Sequence, residues 1–341
     1  MFPQTLSDRV FALFWRYPTP LLSLSLAAVA CSASLPTPAV PTVVVTNAAQ
    51  LEQALATAKP GNIIELQDGT YTGPFTIPAG VSGTATAPIV LVGSKQALFQ
   101  TGDLRNGKPA LYLAGNAYWE LRGFAVRNSK KGIVVDSSHH NVFDQLTIYS
   151  IGEEGLHLRR GSSYNVLRNS SIRDTGLSDP GYGEGCYIGS AASNWTTYSN
   201  GQPDACNFNE VRDNVFGPDV RAEHIDVKEG TEGGRISGNT FNGAGMSGQN
   251  YADSWLDVKG NGYVVEHNTG TAALQDGYQT HVVVPGWGRN NVFVRNRCDV
   301  QAPGYGFNIQ LVNGGPAGNV VYASNTVLNA GRGPANVPIT P

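Results

Sequence analysis

Short bursts of alternating apolar and polar residues recur along the chain. Eight five-residue segments carry the pattern, starting at Ala110, Gly132, Gly155, Gly185, His224, Trp255, His281 and Gly306. Their second and fourth residues are apolar. The pairs run Leu111/Leu113, Ile133/Val135, Leu156/Leu158, Cys186/Ile188, Ile225/Val227, Leu256/Val258, Val282/Val284 and Phe307/Ile309. A period of two predicts strands with one buried face. Successive segments lie 22 to 39 residues apart. A second apolar element follows nearly every one, and five of these elements place Asn at their sixth position: Asn214, Asn239, Asn268, Asn296 and Asn325. Asn accepts tight bends and can bond to like residues above and below in a stack. Two strands with turns per repeat, and irregular loop lengths, predict a parallel β-helix.

The beginning of the fold can be read in the same way. Asn47 to Gln50 forms a capping-box pattern, and Leu51, Ala54, Leu55 and Ala58 mark one apolar helix face ending at Pro60-Gly61. Such a helix covers the open end of a β-helix core. Two further strand signals, Ile63–Leu66 and Pro88–Val92, bring the count to about ten coils. The expected fold is all-β, a single-domain parallel β-helix over 43–341 with an N-terminal capping helix. Before it, Arg9 and Arg16 precede an apolar stretch, Leu21–Cys31, with Ala28-Val29-Ala30 fitting a cleavage site. Residues 1–30 therefore read as a signal peptide and 31–42 as a Pro/Ser-rich linker, which predicts a secreted, periplasmic or surface protein. Cys31 is a candidate lipid anchor. In an oxidising compartment Cys186 and Cys206 are candidates for a disulfide, although Cys186 also sits on an apolar position of the repeat.

Composition narrows the function. Of 341 residues, 41% are hydrophobic and only 14% charged, and the net charge is −3. That excludes a disordered chain and argues against a phosphate-binding nucleic-acid partner. No apolar run is long enough for a transmembrane helix. A monomer is expected.

The third and fifth positions of each repeat point outward. They are bland at first, Tyr112/Ala114 and Val134/Asp136. The middle repeats carry His157/Arg159, Tyr187/Gly189, Asp226/Lys228 and Asp257/Lys259, and the leading residues His224, Trp255 and His281 are read as outward too. One patch thus gathers cations, carboxylates and aromatics. Lys228 and Lys259 fall on successive coils about 4.8 Å apart, where two ammonium groups would depress each other's pKa and give a general base. Asp226 and Asp257 form a similar pair. The bland reading is a solvated Asp/Lys ladder with diagonal attraction.

The run AQLEQALATAKPGNIIELQDGTY (Ala49–Tyr71), with GTATAPIVLVG (Gly83–Gly93) and EHIDVKEG (Glu223–Gly230), resembles the polysaccharide lyase family of chondroitinase B and alginate lyases. The resemblance implies a right-handed helix. It implies that Lys228 takes the C5 proton of a uronic acid and that Lys259 stands where an arginine acid is expected. It also implies calcium held by acids just before the lysine. Glu223 matches one of these, but Arg221 occupies the other position, so no metal is expected and Arg221 or Arg159 would neutralise the substrate carboxylate.

The leading expectation is a lyase acting on an acidic polysaccharide. Lys228 is the base and Lys259 or a histidine the acid. Arg159, His157, Arg221, Glu223, His224 and His281 bind substrate, while Tyr187 and Trp255 stack on sugars. A C5-epimerase shares the proton abstraction. A glycoside hydrolase using Asp226 and Asp257, or a glycan-binding protein without catalysis, are the alternatives. The long segment Ser190–Ala205 reads as a loop beside the cleft.

Overall fold

The computed structural model describes residues 40–341; the signal-peptide and Cys31 readings, and most of the linker, lie outside the described residues. From Val43 onward the chain winds as a right-handed parallel β-helix. Its strands form three all-parallel sheets of 12, 10 and 10 strands, each joining one strand per coil. Among the described residues no helix is long and apolar enough to cross a membrane.

The alternating pattern sets the register. Leu111, Ile133, Leu156, Cys186, Ile225 and Leu256 pair in sequence across one sheet, and all are buried. Apolar side chains every second residue can fill the interior only if each coil stacks without slippage. The Asn residues act as expected. Asn214, Asn239, Asn268, Asn296 and Asn325 pass hydrogen bonds amide to amide at 2.9–3.0 Å. The amides also donate to backbone carbonyls at the bend, for example Asn239 Nδ2 to Val211 O at 2.8 Å. This satisfies buried polar groups where the strands turn. At the N-terminal end the helix Ala48–Thr57 is capped by Asn47, whose side chain accepts from Gln50 N, and it buries Leu51, Ala54 and Leu55.

The seventh repeat differs from its expected register. The strand is Asp276–Thr280, with Tyr278 opposite Leu256 and Phe307, and Val283 is 55% exposed. Val282 and Val284 alternate correctly but lie past the point where the chain leaves the sheet. The better signal is Gly277 before Tyr278, matching Gly306 before Phe307. A Cβ at Gly277 would stand 2.9 Å from the Trp255 ring. Cys186 and Cys206 are free and buried, not bridged. Cys186 points into the core between Leu156 and Ile225, while Cys206 Sγ lies 3.4 Å from Asp204 Oδ1.

Candidate active site

The outward side chains of this sheet form columns along successive coils. One runs Tyr112, Val134, His157, Tyr187, Asp226, Asp257 and Gln279, and the next includes Asp136, Arg159 and Gly189. Lys228 and Lys259 follow their strands on this second side. They line a cavity of about 620 Å³ with Glu223, Asp226, Asp253, Asp257, Asp276 and His281.

Charges alternate diagonally in this cavity. Lys228 Nζ meets Asp226 Oδ2 at 2.6 Å. Lys259 Nζ bridges Asp226 Oδ1 at 2.7 Å and Asp257 Oδ2 at 2.6 Å, and His281 Nδ1 reaches Asp257 at 2.8 Å. The expected mutual depression of the lysines is therefore corrected. Burial pulls both down, but the Asp226 charge overrides it, and both stand above the ordinary lysine value. The same ladder holds Asp257 below the usual carboxylate range despite burial, with Lys259 and His281 beside it. The lysines and aspartates of this chain are largely buried, not solvated, and only His281 at its end is partly exposed. A hydrolase pair needs one carboxyl free to carry a proton, yet both Asp226 oxygens are taken by ammonium groups.

Tyr187 sits beside this ladder. Lys228 Nζ lies 5.0 Å from its ring centre, and His157 packs edge-on against it at 4.4 Å. Burial pushes the phenol well above its ordinary value, so it keeps its proton. His157 bonds Gly189 O at 3.0 Å and Arg159 is held by Asp136 at 2.6 Å. With Lys131, Tyr182 and Tyr198 they line a neighbouring cavity of about 200 Å³. One wall comes from the Ser190–Ala205 segment, through Asn194 and Tyr198; the Tyr198 ring lies 4.5 Å from the Arg159 guanidinium.

Three expected binders are elsewhere. Trp255 and His224 are fully buried. Trp255 donates its indole N–H to Thr271 O at 3.1 Å, and His224 bonds Asn242 O at 2.9 Å. They occupy the corner held by glycine in earlier repeats. Glycines across the core make the room: a Cβ at Gly270 would lie 2.3 Å from the Trp255 ring. Burial lowers His224 to about 4. Arg221 is at the surface, 3.6 Å from Asp219.

Several lining residues escaped the sequence reading, Asp253 and Asp276 among them. Gln279 was hidden by the shifted repeat. Glu184, just before the Cys186 strand, offers an oxygen within 4.8 Å of ligand oxygens of Glu223 and Asp226. One Glu184 oxygen is buried without a partner. Burial and the neighbouring carboxylates push Glu184 well up, and burial with Asp226 raises Glu223 to about 8. Three converging carboxylates with an orphaned oxygen fit a hard divalent cation, and Arg221 does not fill that space.

Comparisons with known proteins agree with the fold and locate the chain among enzymes. The model of the Pel9A-like right-handed β-helix region matches residues 39–185. Pectate lyase L of Dickeya chrysanthemi is 32% identical over 130 residues, 34% of this chain and 30% of that protein. Pectate lyase PEL9 of Emericella nidulans is 28% identical over 164 residues, 42% of this chain and 40% of that protein. The matches thus span well under half the length of these curated relatives. The crystal structure of an alginate lyase from Paenibacillus sp. str. FPU-7 is 37% identical, covers 88% of this chain and all of that one, and superposes with a TM-score of 0.78. Pectate lyase Pel9A, at 19% identity and a TM-score of 0.53, shares the fold. Matched over 88% of its own length to the whole of the Paenibacillus enzyme, the chain belongs to the right-handed parallel β-helix polysaccharide lyases.

Proposed function

We propose that this protein is an exported lyase that cleaves a polyuronate, with alginate the first candidate, by β-elimination around Lys228. The observation that carries this is the pairing of Lys228 and Tyr187 at the meeting point of the two cavities. The identity to an alginate lyase over that enzyme's whole length supports the substrate class.

Elimination needs a base for the C5 proton, positive charge near the uronate carboxylate and a proton for the leaving O4. The C5–H electrons form the C4–C5 double bond as the C4–O bond breaks. Lys228 is the base once it has released its resting proton to solvent; its side chain is 14% exposed and held by one carboxylate, whereas Lys259 is held by two. Tyr187, protonated beside it, donates to the leaving oxygen. Lys259 fixes Asp226 and Asp257. His281 faces the substrate carboxylate, its pKa raised by Asp257 against the opposing effect of burial. Arg159 and His157 receive neighbouring sugars. Glu184, Glu223 and Asp226 would hold a calcium ion, which when bound supplies positive charge to the uronate and relieves Lys228 of part of the Asp226 charge.

The test incubates the protein with polymannuronate, polyguluronate and polygalacturonate, with and without EDTA, and follows the ultraviolet absorbance of unsaturated uronates. A rise on one polymer, lost with EDTA and restored by calcium, is expected. Reducing ends without absorbance would overturn the lyase reading. Calorimetric calcium binding that survives Glu184→Gln unchanged would overturn the metal assignment.

A further inference from the structure

Beyond the reacting pair, the 620 Å³ cavity is lined by residues that the mechanism leaves unused, and we infer that two of them, Tyr251 and Asp253, form a sugar-binding subsite removed from the bond that breaks. The inference rests on the reading that this cleft binds a polysaccharide.

Tyr251 is 90% exposed, the most exposed large apolar side chain among the described residues, and it lines the cavity rim. No aromatic neighbour covers its ring among the described residues. A braced turn holds it outward. Asn250 and Tyr251 both adopt left-handed backbone, φ 55° and 63°, which is uncommon for an aromatic residue. Asn250 Nδ2 donates to Gly181 O at 3.2 Å, tying the turn to a loop from an earlier coil. Ser247 N donates to Arg221 O at 2.8 Å on the other side of the turn.

Asp253 lines the same cavity two residues later. Its Oδ1 accepts from Gln279 Nε2 at 2.7 Å, and its Oδ2 has no partner among the described residues. No lysine, arginine or histidine pairs with Asp253 or Asp276 there, in contrast to Asp226 and Asp257. An uncovered ring face suits the C–H face of a pyranose. An unpaired carboxylate oxygen suits sugar hydroxyls and repels a uronate carboxylate. The subsite therefore takes a sugar through its hydroxyls and apolar face, with any carboxylate turned outward. This stacking role is the one the sequence had suggested for the buried Trp255.

The test compares Tyr251→Ala, Tyr251→Phe and Asp253→Ala with the wild type on the polyuronate it cleaves and on the shortest oligosaccharide it still cleaves. Tyr251→Ala should raise the polymer KM about tenfold, the size of one aromatic contact, with kcat within about twofold. Tyr251→Phe should stay near wild type, and the KM effect should vanish on the shortest oligosaccharide. Asp253→Ala should raise KM in the same selective way. An unchanged polymer KM for Tyr251→Ala overturns the subsite. Should the wild type yield no unsaturated product, calorimetric titration with polymannuronate oligosaccharides separates the two ideas. Weaker binding by Tyr251→Ala keeps the subsite while the lyase reading falls; equal binding, or none by the wild type, overturns the subsite as well.

Discussion

The early and later coils of the site-bearing sheet share one backbone and one inward pattern, yet their outward faces differ in kind. On the early coils the polar groups satisfy one another. Tyr112 donates to Asp136 at 2.8 Å, and Asp136 also holds Arg159 and Arg160. From Tyr187 onward the charged groups line a cavity of about 620 Å³, and three carboxylates, Glu223, Asp253 and Asp276, lack a cationic partner among the described residues. The family match ends at residue 185, before the strand that carries Tyr187. The sequence shared with that family region thus supplies the scaffold together with His157, Arg159 and Glu184, while the proposed acid and base, Tyr187 and Lys228, lie beyond it. Inward positions make the coil, and outward positions are free to become a site.

Cutting the ion ladder is the strongest way to break this contrast. Lys259→Ala removes the partner of two buried carboxylates, and chemical denaturation should show a loss of about 3–5 kcal/mol. The Asn stack should matter nearly as much, because it belongs to the scaffold. Asn239→Ala leaves Val211 O and the adjoining amides without partners and should cost about 2–4 kcal/mol by the same measurement. Glu223→Gln should act in the opposite direction. Burial and Asp226 raise this carboxyl from 4.5 to about 8 in the folded state. The folded protein therefore binds the proton more tightly than the unfolded chain, and wild-type stability falls as pH rises through that window. In chelator the variant should match wild type below pH 4.5 and become more stable by several kcal/mol near pH 8.5, about 1.4 kcal/mol for each unit of the shift. Thermal melts across pH check this, and an advantage confined to acid would contradict it. The smallest effect belongs to the early coils. Tyr112→Phe removes one partly buried hydrogen bond, should cost about 1 kcal/mol and should leave turnover unchanged.

The fold could be read from the sequence because a β-helix repeats its inward positions. Leu111 through Leu256 kept their expected register, and the Asn stack followed from one recurring residue. Reading failed where two patterns overlapped, at Gly277–Thr280 beside Val282 and Val284. It failed again at the corner positions of His224 and Trp255, where space set by Gly217, Gly243 and Gly270 turns a large side chain inward. Lys228, Lys259, Asp226 and Asp257 were brought together as the outward columns implied, and His281 joined them because the shifted repeat sets it beside Lys259 rather than at a leading position. Their electrostatics were not visible, since the sign of the lysine shift depends on which oxygen each ammonium reaches. Glu184 was missed because it lies outside the five-residue repeat and meets Glu223 only through stacking.

The most direct test of the account is the turnover of Lys228→Ala on the polyuronate that the wild type cleaves, with the fold checked by circular dichroism and melting. Loss of the base should lower the production of unsaturated uronate by about a hundredfold or more while the β-sheet signal persists. A folded variant that still makes unsaturated product at the wild-type rate would contradict the assignment of the chemistry to Lys228.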